Sequence, residues 1–191
     1  SETPVLIGLS SFQEKGSFDD LSEALHLMDH AAKEAIDDCG NTKIIDYIDE
    51  IRVPKGFWKY RDPGRWIASK NSINSSAKTY VTKIGVLQQN LINSVCQNIQ
   101  KGLINAGLII GAEARYKKIR AEIEQKEFNE TSLLENPTVY QKADDVLYLD
   151  EEFNHLGGMA VGYYAIIETA LRKYFNNSPK DHEKKISELY S

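Results

Sequence analysis

Cysteine is scarce in this chain: Cys39 and Cys96 are the only two among 191 residues. They form no CxxC pair and fit no zinc spacing, which excludes a disulfide framework and fits a reducing compartment. The sequence shows no secretory leader, and no apolar run approaches the roughly 18 residues that a membrane span needs. A cytoplasmic protein with no membrane contact is therefore expected. Basic excess is also lacking. Lys and Arg number 23 against 28 Asp and Glu, for a net charge of -5 and a pI near 5.4. That balance argues against binding to nucleic-acid phosphates or to an anionic bilayer. The one basic run, Arg115 to Arg120, is followed by Glu122, Glu124 and Glu127, as on a solvated helix of mixed charge. Gly102, Gly107 and Gly111 flank a strand-like run, and Gly157-Gly158 opens a helical one, but none makes GxGxxG or GxxxxGK[ST]. Dinucleotide and P-loop binding therefore have no support.

What remains is an ordinary globular composition, 41% hydrophobic, enough for one substantial core and a smaller attached piece. Pro4 to Leu9 is a short apolar run with the look of a buried strand. From Asp19 or Asp20 to Asp38, Leu21, Ala24, Leu25, Met28, Ala31, Ala32, Ala35 and Ile36 form one helical stripe, with Gly40 as its stop. A second strand is expected over Tyr47 to Val53, closed by Pro54 and Gly56. A short helix from about Arg65 to Ser72 and a third strand over Ala77 to Thr82 follow. Leu87, Leu91, Ile92, Val95, Ile99 and Leu103 then share a face of a helix ending near Gly102, and Gly107 to Gly111 reads as a fully apolar fourth strand. Strands alternating with helices at this spacing argue for a parallel-rich sheet covered on both faces.

Beyond Glu113 the pattern changes to a charged helix, an irregular polar stretch from about Asn129 to Asn154, and a helical segment from Met159 to Tyr174. A last helix runs from Pro179 to Tyr190 with Ser178 as its cap. The expected division is an α/β domain over 1–113 and a helical loop-domain extension over 114–191. The extension stops within a helical pattern, as a truncated chain would.

The order of elements, ending in Gly-Leu-Ile-Ile-Gly-Ala-Glu-Ala at 107–114, resembles the N-terminal half of the thiolase superfamily. The run Ile99 to Glu113 is most similar to the sterol-carrier-type thiolases and their divergent, acetyl-CoA acetyltransferase-like relatives. Trp58-Lys-Tyr-Arg-Asp-Pro-Gly-Arg65 and Glu168 to Arg172, followed by Asp181-His182-Glu183, resemble the divergent group too. The resemblance touches nearly the whole chain, and its individual motifs are only moderately specific. It implies a three-layered fold with a mixed, mostly parallel sheet covered by helices. It also implies a coenzyme A thioester as substrate with no covalently bound cofactor. The partner would be either a second copy, paired through Ala77 to Thr82, or the missing C-terminal half.

Thiolytic chemistry needs a thiolate at a helix N-terminus, where the dipole and free N–H groups lower its pKa. The resemblance places that slot at about Gly85, which cannot be acylated, and the adjacent Ile84 and Val86 are no better. Cys96 lies about 16 Å further along the same helix at 1.5 Å per residue, on the apolar stripe, where a thiol behaves as a small hydrophobe. Cys39 is flanked by Asp37 and Asp38, which disfavour a thiolate. His26 and His30 have the i, i+4 spacing of a metal pair but no Glu follows His26, so a solvated face is the expectation. His155 and His182 are isolated in polar surroundings and are expected at the surface.

The aromatic and cationic loop at 56–66 offers Trp58, Tyr60, Arg61, Arg65 and Trp66. These residues suit stacking on an adenine and pairing with phosphates, with Trp58, Arg61 and Arg65 as the binding set. The alternative is a surface loop that packs its aromatics against the sheet edge or a dimer partner. Function then divides in two. One reading is an acyltransferase acting on acyl-CoA thioesters, of which this chain is an inactive portion; the other is a thiolase-like scaffold that binds an acyl-CoA or a partner protein without forming an acyl-enzyme.

Overall fold

The computed structural model describes residues 3–83, 87–142, 149–157 and 160–190, with nothing stated for the side chains of Leu87 and Gln88. The chain forms two compact units, 1–142 and 143–191.

The first unit is α/β. Among the described residues its strands are β1 (Ile48–Pro54), β2 (Lys78–Lys83), β3 (Ala106–Ile109) and β4 (Val139–Lys142). They lie in the order β3-β1-β2-β4 with every pairing parallel. Among the described residues of this unit the α-helices are α1 (Ala24–Asp38), α2 (Pro63–Lys70), α3 (Leu87–Gln100) and α4 (Arg115–Glu124).

Side-chain alternation along β1 sorts the two faces of the sheet. Ile51 and Val53 join Leu25, Met28 and Ala32 of α1, Ile67 and Ala68 of α2 and Val81 of β2 in one fully buried cluster. Glu50 and Arg52 point the other way, under α3, where Asn98 Nδ2 donates to Glu50 Oε1 at 2.9 Å. Burial of the apolar face, at about 25 cal/mol per Å2, is the main driving force for this layering.

Local signals position the helices. Asp62 caps α2 by accepting the Arg65 N–H at 2.9 Å, with Pro63 at the first helical position. Gly40, at φ +71°, ends α1 in the left-handed conformation that glycine adopts without strain. The helix itself begins at Ala24, later than the apolar stripe suggests. Phe18–Asp20 form a 3-10 turn instead, and Glu23, in extended backbone, spends its carboxylate on Tyr60 and Thr131.

Two expectations about apolar runs are overturned. Pro4 to Leu9 is not a buried strand: it pairs with no strand among the described residues, and Val5, Leu6 and Leu9 are largely exposed. The segment lies along α1 instead. The Leu9 N–H donates to Asp38 Oδ2 at 2.9 Å and Ser10 Oγ to Glu34 Oε2 at 2.6 Å. A side chain at Gly8 would collide with the Ala35 carbonyl, so only glycine permits this approach. An apolar run becomes a strand only where a neighbouring ladder is free to receive it. In α3, Leu91 and Val95 are buried but Ile92 is exposed, as is Leu103 just beyond the helix. The helix is phased by Val95 packing on Gly107 and by Asn98 reaching Glu50, so the buried stripe is narrower than the apolar one.

The strand over Val139–Lys142 lies in a stretch expected to be irregular. It pairs with β2 from Tyr80↔Val139 to Lys83↔Lys142, so both edges of β2 are occupied. Pairing of two copies through that strand, as the resemblance implied, is closed while β4 is in place.

The second unit holds α5 (Asp150–Leu156), α6 (Ala160–Tyr174) and α7 (Pro179–Leu189). Ser178 caps α7 as expected, its Oγ accepting the Asp181 N–H at 3.2 Å. His182 Nε2 meets Glu168 Oε2 at 2.8 Å, tying α7 to α6. None of the described residues in these three helices is buried. No helix among the described residues is long and apolar enough to cross a membrane.

Candidate functional site

In a parallel sheet the strands deliver their following loops to one end, and the crevice outside those carboxyl ends is where ligands bind in open α/β folds. Here β1 leads into the loop Lys55–Asp62, and β3 leads through Ile110–Ala114 into α4. Between them lies a cavity of about 660 Å3, closed on a third side by residues 128–134. That volume is in the range of small-molecule sites.

The third wall is tied down by named bonds. Glu130 Oε2 accepts the Lys59 N–H at 2.8 Å, and Arg61 Nη1 donates to the Leu134 carbonyl at 3.2 Å. Glu23 accepts from the Thr131 N–H at 2.8 Å, from the Thr131 hydroxyl, and from the Tyr60 hydroxyl at 2.7 Å. Burial alone pushes Glu23 up, but the bonds from Thr131 and Tyr60 outweigh it and hold the carboxyl below the usual range. Burial, with the Glu23 carboxylate behind it, drives the Tyr60 hydroxyl far above an ordinary phenol.

The floor is aromatic. Trp58 is buried, its Nε1 donating to the Ala112 carbonyl at 3.2 Å. Its ring stacks on Tyr60 at 5.3 Å between centroids, and Lys55 Nζ stands 4.0 Å from the ring centre. Lys55 also donates to the Gly56 and Trp58 carbonyls, and burial lowers its pKa against the opposing pull of Glu130 and Glu113. Phe57, by contrast, is 87% exposed at the mouth of the cavity. Its N–H donates to Glu113 Oε1 at 2.8 Å. Any side chain at Gly56 would collide with both Glu113 and the Trp58 indole, so glycine sets this corner.

Four cations, Lys59, Arg61, Arg115 and Lys118, line the cavity against two carboxylates, Glu113 and Glu130. Arg115 opens α4, whose cap residue Ala114 supplies no side-chain acceptor, so the positive end of the helix faces the same space.

The three residues singled out in the sequence part company here. Trp58 and Arg61 both line the cavity. Arg65 does not: it sits on α2 and donates to the carbonyls of Ser75 at 3.0 Å and Ala77 at 2.9 Å, bracing the start of β2. Trp66 is edge-on to His26 at 5.5 Å. Residues 128–134 carry no motif that would have marked them. Arg115 and Lys118 were visible as a basic run at a helix start, but without the fold they read as a solvated face.

The slot at Gly85 lies outside the described residues. Cys39 and Cys96 are free and half-buried, and neither lines the cavity. His26 pairs with Glu23 and His30 with Glu34, both at partly exposed positions. Among the described residues no group of three or more His, Cys, Asp or Glu is placed to hold a metal ion. Comparison with known protein families, with curated proteins and with solved structures gives no match.

Proposed function

We propose that this chain is the ligand-binding portion of a thiolase-like protein that handles acyl-CoA thioesters, and that by itself it binds the thioester without becoming acylated. The observation that carries this reading is the cavity beyond β1 and β3, where four cations and an exposed aromatic ring surround one space. Coenzyme A presents a pyrophosphate and a further phosphate, which suit the Arg61 and Arg115 guanidinium groups and the Lys59 and Lys118 ammonium groups. Its adenine suits the open face of Phe57. Glu113 and Glu130 have backbone N–H partners at 2.8 Å each, so they shape the loops and leave the excess positive charge to the ligand.

Acyl transfer proper requires a nucleophile at the thioester carbonyl, and neither free thiol belongs to the cavity lining. In this reading any acyltransferase activity belongs to an assembly with a second copy or with a complementary C-terminal half. The free thiols fit a cytoplasmic setting.

Titration calorimetry with coenzyme A and acetyl-CoA tests the binding. Saturable heat that an Arg61→Ala, Lys118→Ala double variant loses is the expected result. Equal affinity in the two proteins would remove the cavity from the site. Incubation with radiolabelled acetyl-CoA followed by acid quench is expected to leave no label on the protein, whereas label on any residue would establish an acyl-enzyme.

A further inference from the structure

We infer that Ser132 is a phosphorylation site, and that its phosphoserine is held by the cations of the cavity beyond β1 and β3 and so closes that cavity to an anionic ligand. The inference rests on reading the cavity as an anion site, and not on coenzyme A being the anion.

The sequence narrows the choice first. Acid-directed protein kinases read the charge pattern around the target hydroxyl, pairing cations of their own with a carboxylate beyond it. Among all Ser and Thr of the chain, only Ser11, Ser17, Ser132 and Ser178 have a carboxylate three residues later. The use of each hydroxyl separates these four. Ser17 Oγ donates to Asp20 Oδ2 at 2.5 Å and Ser178 Oγ to Asp181 Oδ2 at 2.6 Å, so each is spent on the carboxylate that would mark it. Ser11 lies on a smaller cavity, about 430 Å3, whose charged lining is Glu14, Glu113 and Lys117. A phosphate there would meet an excess of negative charge. Ser132 is exposed, and its hydroxyl has no hydrogen bond among the described residues. Residues 126–138 form neither helix nor strand, so the segment can present Ser132 in an extended form.

The backbone is held on either side of Ser132. Thr131 is bonded to Glu23 through its N–H at 2.8 Å and through its hydroxyl, and Leu133 packs against the core. Ser132 itself lines the cavity, together with Lys59, Arg61, Arg115 and Lys118. All four cations are exposed, and none belongs to an ion pair among the described residues. Arg61 Nη1 lies 3.2 Å from the carbonyl of Leu134, two residues further on. Two residues of chain span at most about 7 Å, so the guanidinium stands within the roughly 10 Å over which exposed charges act at 0.1 M salt.

Charge and chemistry match. Glu113 and Glu130 offset two of the four cations, and the remaining excess of two suits a phosphoserine, which carries about -1.5 to -2 at pH 7. In the transfer, the Ser132 oxygen bonds to the γ-phosphorus of ATP as the bond from that phosphorus to the β-bridging oxygen breaks. ADP leaves, and the hydroxyl proton passes to the base of the kinase. The tethered phosphate then competes for the same guanidinium and ammonium groups at an effective concentration on the order of millimolar.

The test is to treat the full chain with ATP and an acid-directed Ser/Thr kinase and to map the product by peptide mass spectrometry. One phosphoryl group is expected at Ser132, and none in that peptide of Ser132→Ala. Phosphorus NMR titration of the product should give a second phosphate pKa below the ordinary value of about 6, because nearby cations favour the dianion. An Arg61→Ala, Arg115→Ala double variant should return it towards that value. Calorimetry with inorganic pyrophosphate should show affinity weakened about tenfold or more by the modification. If pyrophosphate behaves so while coenzyme A binds neither form, the coenzyme A reading falls and the phosphoserine site stands. No modification at Ser132, an ordinary phosphate pKa, or pyrophosphate affinity unchanged by modification would each overturn the proposal, as would an unmodified chain that binds no pyrophosphate.

Discussion

Arg52 and Glu50 lie on the same face of β1 with Arg52 Nη2 2.7 Å from Glu50 Oε2, and each side chain is only 5% exposed. The pair is fully used. Arg52 Nε also donates to Oε2 at 2.9 Å, while Asn98 Nδ2 and the Tyr80 hydroxyl donate to Oε1 at 2.9 and 3.2 Å. The guanidinium covers the Tyr80 ring at 4.1 Å. Removing one partner strands the other charge inside the protein. Glu50→Ala is expected to cost about 3–5 kcal/mol in urea denaturation. A Glu50→Leu, Arg52→Met double variant should lose far less, because no orphaned charge remains. Equal losses in both proteins would mean that packing, and not charge pairing, dominates this face.

The Glu23 carboxyl gives the fold an acid-sensitive point. Burial raises its pKa, but the donors from Thr131 and Tyr60 more than reverse that, so the folded value lies below the unfolded one. A depressed carboxyl stabilises the fold at all pH values above its unfolded pKa of about 4.3. That contribution is lost as pH falls through the folded value. Wild type should therefore be more stable than Glu23→Gln at pH 7, with the gap in thermal midpoint closing below about pH 4. A gap independent of pH would show that shape and neutral hydrogen bonding, rather than ionisation, secure residues 128–134.

Val95 and Gly107 are matched in a way that one substitution should expose. A methyl group on Gly107 would stand 2.8 and 3.1 Å from the two Val95 methyls. Gly107→Ala should therefore destabilise by about 1–3 kcal/mol through overpacking. Adding Val95→Ala should recover part of the loss, and purely additive effects of the two changes would rule out the contact as the cause.

These contacts mark the limit of what the sequence makes legible. The alternation of strand and helix up to Glu113 follows from periodicity and from glycine and proline punctuation, and β1, β2, β3, α2 and α3 fall within a few residues of expectation. Val139–Lys142 is too short and too polar to declare itself, and it is a strand only because β2 has an edge to offer. Pro4–Leu9 fails in the opposite sense, carrying β-forming residues without a neighbour to pair with. The buried Glu50 and Arg52 alternate with Ile51 and Val53, a pattern that reads equally as a solvated face; only α3 closing over it, with Asn98 as donor, decides otherwise. The cleft draws on residues 57, 61, 115, 118 and 128–134, which only the topology brings together.

Arg61 and Arg65 look interchangeable in the sequence, both in an aromatic, cationic stretch four residues apart, yet they should respond in opposite ways. Arg65 holds the carbonyls of Ser75 and Ala77 and stands outside the cavity lining, so Arg65→Ala should lower stability by roughly 1–3 kcal/mol, the range for hydrogen bonds to a charged group. Its affinity for coenzyme A should be unchanged. Arg61 is exposed and, among the described residues, bonds to the Leu134 carbonyl alone, so Arg61→Ala should change stability by no more than about 0.5 kcal/mol. Its coenzyme A affinity should fall, and the loss should shrink as salt is raised, because exposed charges are screened within about 10 Å at 0.1 M. Paired denaturation and calorimetry on the two variants separate the roles. If Arg65→Ala lost affinity while Arg61→Ala kept it, the phosphate-binding surface would lie on the α2 side of the loop and the cavity beyond β1 and β3 would hold something else.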